Sequence, residues 1–244
     1  RSNLAKALPH LSDKERFIVE KKFYHHMCDV FLEMIKTMSI SQKEMEKRFQ
    51  YTNLEVYLDL EKKGKSIAFL IGHYATYEWV ISMNYKINFK GYAIYKKLAN
   101  PYFDKLVKNI RSKFKAFLIT TKETTLTIEN NNIAGILGVY GFASDQSPRK
   151  AENMYWYTFM GIETPIHIGA EVLAKKYDMN MIYLKVKKVK RGYYEASFEL
   201  LSDDVNSFPD YKISEIFMQK VEQQILEAPE FYLWTHKRWK HKRK

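Results

Sequence analysis

A histidine at the end of an apolar run is the first residue here with chemistry to offer. The stretch "IGHYATYEWV" places His73 directly after Gly72, with Glu78 five residues on. An imidazole can accept a proton from an attacking group, and a carboxylate can fix its tautomer and stabilise the imidazolium that forms. On one continuous helix, five residues turn about 500°, which points the two side chains roughly 140° apart. The pair can meet only if His73 lies on a loop and Glu78 on the first turns of the helix that follows, and a break at Gly72 permits this. A structural histidine with a solvated glutamate satisfies the same spacing.

Other chemistries find less support. The chain has no G-x-S-x-G elbow, no G-x-x-x-x-G-K-[ST] loop and no G-x-G-x-x-G. Its single cysteine, Cys28, falls in a helical stretch away from any strand end and excludes an intrachain disulfide or thiolate cluster. His25 and His26 are adjacent, so they cannot share a helix face, and no metal-ligand set emerges. A His–Glu pair without a protein nucleophile suits direct attack by a substrate hydroxyl on an activated acyl group.

The elements around His73 follow from pattern. The apolar run 66–71 lacks polar alternation and predicts a buried strand, with a helix over 75–84 after the glycine. Further along, strands are expected at 91–95, 116–119 and 133–139, alternating with helices at 100–113, 123–131 and 168–177 and a loop at 161–165. The stretch 181–201 predicts an antiparallel hairpin turning at Arg191–Gly192, and 211–227 a last helix stopped by Pro229. At the start, Ser12 with Glu15 three residues later is a capping box. Behind it Phe17, Val19, Phe23, Met27, Val30, Phe31, Met34, Ile35 and Met38 form an apolar face, expected to be core, although a groove for a fatty chain would use the same residue types. A shorter helix is expected at 41–50.

Alternating strands and helices indicate an α/β fold with a central, mostly parallel sheet flanked by helices, a helical N-terminal subdomain and a C-terminal hairpin. The expected division is a helical subdomain at 1–60, an α/β core at 61–234 and a basic aromatic tail at 235–244. In the open sheets of such folds, ligands bind at the carboxyl ends of the strands, where His73 sits.

The 244 residues carry 40 Lys+Arg against 28 Asp+Glu, a net charge of +12. Half of that excess comes from Lys237, Arg238, Lys240, Lys242, Arg243 and Lys244, and Trp234 and Trp239 stand among them. Such an excess calls for an acidic partner: nucleic acid, an anionic membrane or an acidic protein. The sequence lacks RNP-type and helix-turn-helix signatures, so no nucleic acid is expected. No stretch reaches the roughly 18 apolar residues of a membrane span. The chain begins at Arg1, and an upstream anchor is expected to have been removed.

With these residues on the page, a resemblance is clear. "GHYATYEW" resembles the H-x4-E signature of the lipid A late acyltransferases, the lauroyl/myristoyl transferases of the lysophospholipid acyltransferase superfamily. "RSNLAKALPHLSDKER", "YAIYKKLANPYFDKLVKNIRSKF", "GILGVYGFASDQSPR", "FMGIETPIHIGAEVLAKKY" and "APEFYLWTHKRWKHKRK" are similar to further blocks of that family, in order over nearly the whole chain. Lys115 departs from the pattern, standing near a frequent glycine, and basic residues replace the proline-rich end.

The resemblance implies O-acyl transfer from an acyl carrier protein thioester to a hydroxyl of a lipid A precursor, without a cofactor. It makes His73 the general base and Glu78 its orienting partner. Arg111, Lys96 and Lys97 become candidate binders of acidic substrate groups, and Asp145 and Gln146 support the site. It also implies the cytoplasmic face of the inner membrane, with the tail from Trp234 onward lying at an anionic interface. A glycerolipid or aminolipid acceptor is the alternative within the fold. From another class, the alternative is a non-catalytic membrane-surface or nucleic-acid-binding protein.

Overall fold

The computed structural model describes residues 1–149 and 154–241. The chain opens with a short helix α1 (Ser2–Ala7), a long helix α2 (Asp13–Thr37) and α3 (Gln42–Arg48). The capping box forms as expected: the Ser12 hydroxyl accepts from the Glu15 backbone, and the Glu15 carboxylate accepts from the Ser12 N–H at 2.7 Å. A short strand β1 (Phe49–Tyr51) and α4 (Leu54–Lys62) follow.

The central unit then begins with β2 (Ile67–Ile71), and a 3₁₀ helix, Tyr77–Tyr85, takes the place of the helix expected at 75–84. After it come β3 (Lys90–Tyr95), α5 (Pro101–Ser112), β4 (Phe117–Thr120) and α6 (Thr124–Ile133). The next strand, β5 (Gly138–Ala143), starts five residues later than expected, because α6 runs on through Ile133 and Gly135 turns the chain with φ +65°. Lys115 also sits in the left-handed region, at φ +59°, a conformation that suits the glycine expected there. The stretch 161–165 is not a loop: β6 (Trp156–Phe159) and β7 (Ile162–Pro165) pair as an antiparallel hairpin around Gly161. The chain continues through α7 (Gly169–Lys176), β8 (Asn180–Lys190), β9 (Tyr193–Ser202) and α8 (Lys212–Glu227).

Among the described residues seven strands form one sheet in the order β1-β9-β8-β2-β5-β3-β4, with every neighbouring pair parallel except β8–β9. This is the expected α/β class. β2 is flanked by β8 and β5 and buries Ile67, Ala68, Phe69 and Leu70, which accounts for its unbroken apolar run. Residues 1–60 add β1 to the sheet edge and Leu4, Leu8, Phe23 and Tyr57 to the common core. No helix among the described residues is long and apolar enough to cross a membrane.

Two expectations about surfaces change. The expected apolar face of α2 divides: Phe23 is buried, with Val19 and Met27 packed against the core and Val30 and Met34 part-buried, but Phe17, Phe31, Ile35 and Met38 are exposed, while the polar His26, Glu33 and Thr37 are buried. The aromatic tail is not a free interface element. Trp234 and Trp239 are buried, and Arg238 is 1 % exposed. Trp239 stacks on Phe159 and on Trp234, with ring centroids 6.0 and 6.4 Å apart, and Arg238 donates to Thr164 Oγ1 at 2.9 Å and to the Pro165 carbonyl at 3.0 Å. The segment is a strap bound to the β6–β7 hairpin. Of the tail's cations, Lys242, Arg243 and Lys244 lie outside the described residues.

Trp239→Ala is therefore expected to cost about 3–5 kcal/mol, as for a buried tryptophan. Urea denaturation measures it, and an unchanged midpoint would return Trp239 to the surface.

Candidate active site

Strand register builds the site. β2 and β5 run parallel with Ile71 opposite Ala143. His73 lies two residues past Ile71, and Asp145 lies two residues past Ala143. Equal overhangs from adjacent parallel strands bring both side chains to the same sheet edge. The His73 Nδ1 to Asp145 Oδ1 distance is 2.6 Å. The Asp145 side chain is fully buried and that of His73 is 18 % exposed.

This geometry selects the protonation pattern. A carboxylate only accepts, so a neutral His73 carries its proton on Nδ1 and leaves Nε2 as an acceptor. Burial alone lowers the pKa of His73; the Asp145 carboxylate outweighs it, Glu78 adds to the field, and the pKa rises above the ordinary 6.5. Burial likewise disfavours the Asp145 anion, and His73 overrides that and holds its pKa below the usual carboxylate range.

The expected His73–Glu78 bond is absent among the described residues, and Glu78 acts on His73 only through its charge. Its carboxylate is held in a two-pronged ion pair by Arg111, which donates from Nε at 3.0 Å and from Nη2 at 2.6 Å. Arg111 sits in the last turn of α5, and the pair spans from that helix to the 3₁₀ helix after His73. Such fork-on-fork bonds fix both groups in plane. Burial lowers the pKa of Arg111, the Glu78 bonds more than restore it, and it stays charged. So His73 and Asp145 form one pair, Glu78 and Arg111 another, and the two are within each other's field.

The remaining candidates are placed differently. Gln146 is half-buried beside Asp145. Lys96 and Lys97 follow β3 and are exposed, and Lys97 acts on Asp104 and Glu123 at the α5–α6 side of the edge. They form an outlying cationic rim rather than part of the His73 cluster.

Three residues join the site that spacing did not single out. The Tyr77 ring meets that of His73 edge-on, centroids 5.0 Å apart; burial and Glu78 push its pKa up, so the hydroxyl keeps its proton. Tyr232 is 2 % exposed and lies in the field of Asp145, and Arg238 supplies a buried positive charge toward the same carboxylate. Asp145 Oδ2 is buried without a close hydrogen-bond partner among the described residues, and the carboxylate is compensated by the His73 side chain, by the backbone of His73 and Asp145, by the Tyr232 hydroxyl and by the Arg238 charge. Tyr77 lies inside the "GHYATYEW" stretch between His73 and Glu78; for Tyr232 and Arg238 only the "FYLWTHKRW" block could have hinted at a contribution, and composition alone reads it as surface.

Two elements hold the His73 loop in place. On one side the strap pairs with it: Ala75 N–H donates to the Phe231 carbonyl at 2.9 Å, Leu233 N–H donates to the His73 carbonyl at 3.1 Å, and Tyr74 bridges Tyr232. These bonds hold Ala75 in the left-handed region, at φ +51°. On the other side Trp79 Nε1 donates to Thr37 Oγ1 of α2 at 2.9 Å. A rigid loop of this kind can present an imidazole base at a fixed position to a hydroxyl and an acyl carbonyl.

With that geometry established, comparison with known families is informative. No curated protein gives a significant match. The family model described as bacterial lipid A biosynthesis acyltransferase matches residues 1–241. A match over nearly the whole chain, with the histidine loop, the Asp145 turn after β5 and the C-terminal strap all inside it, shows that the chain belongs to the bacterial lipid A biosynthesis acyltransferase family.

Proposed function

We propose that the protein transfers a fatty acyl chain from an acyl carrier protein thioester to a hydroxyl of a lipid A precursor. The setting is an anionic membrane surface, the cytoplasmic face of the inner membrane, with His73 as general base. The observation that carries this reading is the 2.6 Å bond from a buried carboxylate to His73 Nδ1, which leaves Nε2 as a basic acceptor at a sheet edge.

In the reaction Nε2 takes the acceptor hydroxyl proton as that oxygen attacks the thioester carbonyl carbon. The tetrahedral oxyanion collapses, the C–S bond breaks, and the sulfur leaves with the proton returned from the imidazolium. A thioester is already activated, so no covalent enzyme intermediate is required. Asp145 stabilises the imidazolium, in the manner of triad carboxylates. Tyr77, held protonated against His73, is the donor we assign to the oxyanion. Arg111, fixed by Glu78, keeps a positive charge beside the site. Lys96, Lys97 and Gln146 are assigned to the acceptor's acidic groups and to the approach of the acidic carrier protein.

His73→Ala should abolish transfer in a thioester-consumption assay while leaving the melting temperature near that of the parent; turnover near the parent's would sink the assignment. Tyr77→Phe, which deletes only the hydroxyl, should lower kcat by about 10–1,000-fold with KM nearly constant; an unchanged kcat removes Tyr77 from the reaction.

The pH profile tests the pair itself. His73 must be neutral to act, so activity should rise with pH through an apparent pKa above 6.5. The stability that the charged pair contributes has the opposite sense: it is fully present below 6.5 and is lost as pH rises through the raised pKa. In Asp145→Asn the main opposition to burial is removed from His73, leaving only the mutually opposed fields of Glu78 and Arg111. The acid limb should then move to lower pH while the plateau falls about 100-fold or more. An acid limb that stays in place contradicts the pairing.

A further inference from the structure

Helix α2 packs Val19, Phe23 and Met27 on the core and carries a second apolar stripe outside. Phe17, Tyr24, Phe31, Ile35 and Met38 are spaced by 7, 7, 4 and 3 residues, which aligns them on one stripe, with Leu32 at its edge. They are between 43 % and 58 % exposed. The opposite side of the helix buries Phe23, His26, Glu33 and Thr37. These inward polar groups have tasks: Glu33 accepts from the Tyr194 hydroxyl at 2.7 Å, and Thr37 accepts from Trp79 beside the histidine loop. The helix thus places several polar groups against the protein and leaves a full apolar stripe outside. At 1.5 Å per residue the stripe runs for roughly 30 Å, a contiguous apolar strip that demands a covering partner.

Charge decides which partner. Every acid of α2 is engaged within the protein. Asp13 is held by Arg16, Glu15 by the capping box, Glu20 by Arg1, Asp29 by Lys188 and Arg191, and Glu33 by Tyr194. Lys14, Lys21 and Lys36 stand exposed along one flank of the stripe, and the Lys21 ammonium sits 4.7 Å from the centre of the Phe17 ring. Beyond the first turn, where Asp13 and Glu15 are exposed, the outward face is therefore apolar with a row of cations. Two such faces repel, which disfavours a second copy. An apolar stripe with lysines alongside fits a bilayer with anionic headgroups, into which rings and aliphatic chains insert while ammonium groups meet phosphates.

We propose that the outward stripe of α2 is the surface by which this protein lies on an anionic lipid bilayer. The lipid-acceptor reading above supplies its purpose, since the same helix is bonded through Thr37 to Trp79 of the active-site element. The binding itself can be tested without catalysis.

The experiment is co-sedimentation of the 244-residue chain with phosphatidylcholine vesicles, with and without about one-third phosphatidylglycerol. The parent should bind the anionic vesicles. The double substitution Phe31→Ser with Ile35→Ser should weaken that binding at least about tenfold. Because both side chains are exposed, its thermal midpoint should match the parent's. Lys14→Gln, Lys21→Gln and Lys36→Gln together should erase the preference for anionic over neutral vesicles. Parent-like binding by the double variant overturns the proposal. So does a parent that is dimeric in sedimentation and becomes monomeric in the variant, since that makes the stripe a self-interface. His73→Ala should still bind vesicles, and the stripe variant should still turn over a detergent-dispersed acceptor. Failure of the docking surface and failure of the catalytic reading are thereby separated.

Discussion

A carboxylate with no exposure to water is the constraint around which this molecule is arranged. Asp145 lies at the end of β5 with a side chain that is fully buried. An anion in that position is tolerated only if positive charge or donors come to it. His73 supplies one bond, and the buried guanidinium of Arg238 supplies field from the strap. Arg238 itself is fixed by Thr164 and Pro165 of the β6–β7 hairpin. One buried charge thus ties together two central strands, the hairpin and the last segment of the chain. It also sets the property that matters for chemistry, a histidine whose Nε2 is left basic.

The histidine loop is clamped between two elements that are remote in sequence. The strap bonds its backbone at His73 and Ala75, and α2 receives the Trp79 indole. This explains why His26, Glu33 and Thr37 are buried despite their polarity. Burial drives the pKa of His26 down to about 4, so it sits neutral beneath the loop. Polar groups fixed on a rigid helix position a loop more narrowly than apolar contacts do, because hydrogen bonds are directional. The consequence appears on the opposite side of the helix, where the aromatic and aliphatic residues have no interior left to fill.

Much of the architecture was legible from residue pattern: the capping box at Ser12, the buried strand before Gly72, the hairpin turning at Gly192 and the α/β alternation. The errors have physical origins. Periodicity shows that a helix has a broad apolar face but not how much of it the rest of the protein covers, and in α2 Val19, Phe23 and Met27 meet the core while Phe17, Phe31, Ile35 and Met38 stay outside. A run of basic and aromatic residues reads as surface until a buried carboxylate is found to need the arginine within it. The partner of His73 was sought five residues away, because local spacing offers only local partners. Asp145 is 72 residues away, and only the pairing of Ile71 with Ala143 brings it into reach. The family resemblance placed Asp145 near the site, but its bond to His73 is a property of strand register.

The charges at the site also account for having two carboxylates rather than one. Asp145 and Glu78 contribute two negative charges, and Arg238 and Arg111 contribute two positive ones. With His73 neutral, the cluster has no net charge before reaction. In the reaction proposed above, proton transfer to Nε2 would create an imidazolium as an oxyanion forms on the substrate, and the two new charges would compensate each other. A site with an unpaired Glu78 would hold His73 too firmly in its protonated form, since that carboxylate already raises its pKa. A site with an unpaired Arg111 would oppose the imidazolium. The bidentate Glu78–Arg111 bond lets each cancel the other's bias while both remain near the reacting atoms. In the proposed reaction the glutamate of the H-x4-E spacing therefore balances charge around the histidine together with its arginine, and leaves the tautomer to Asp145.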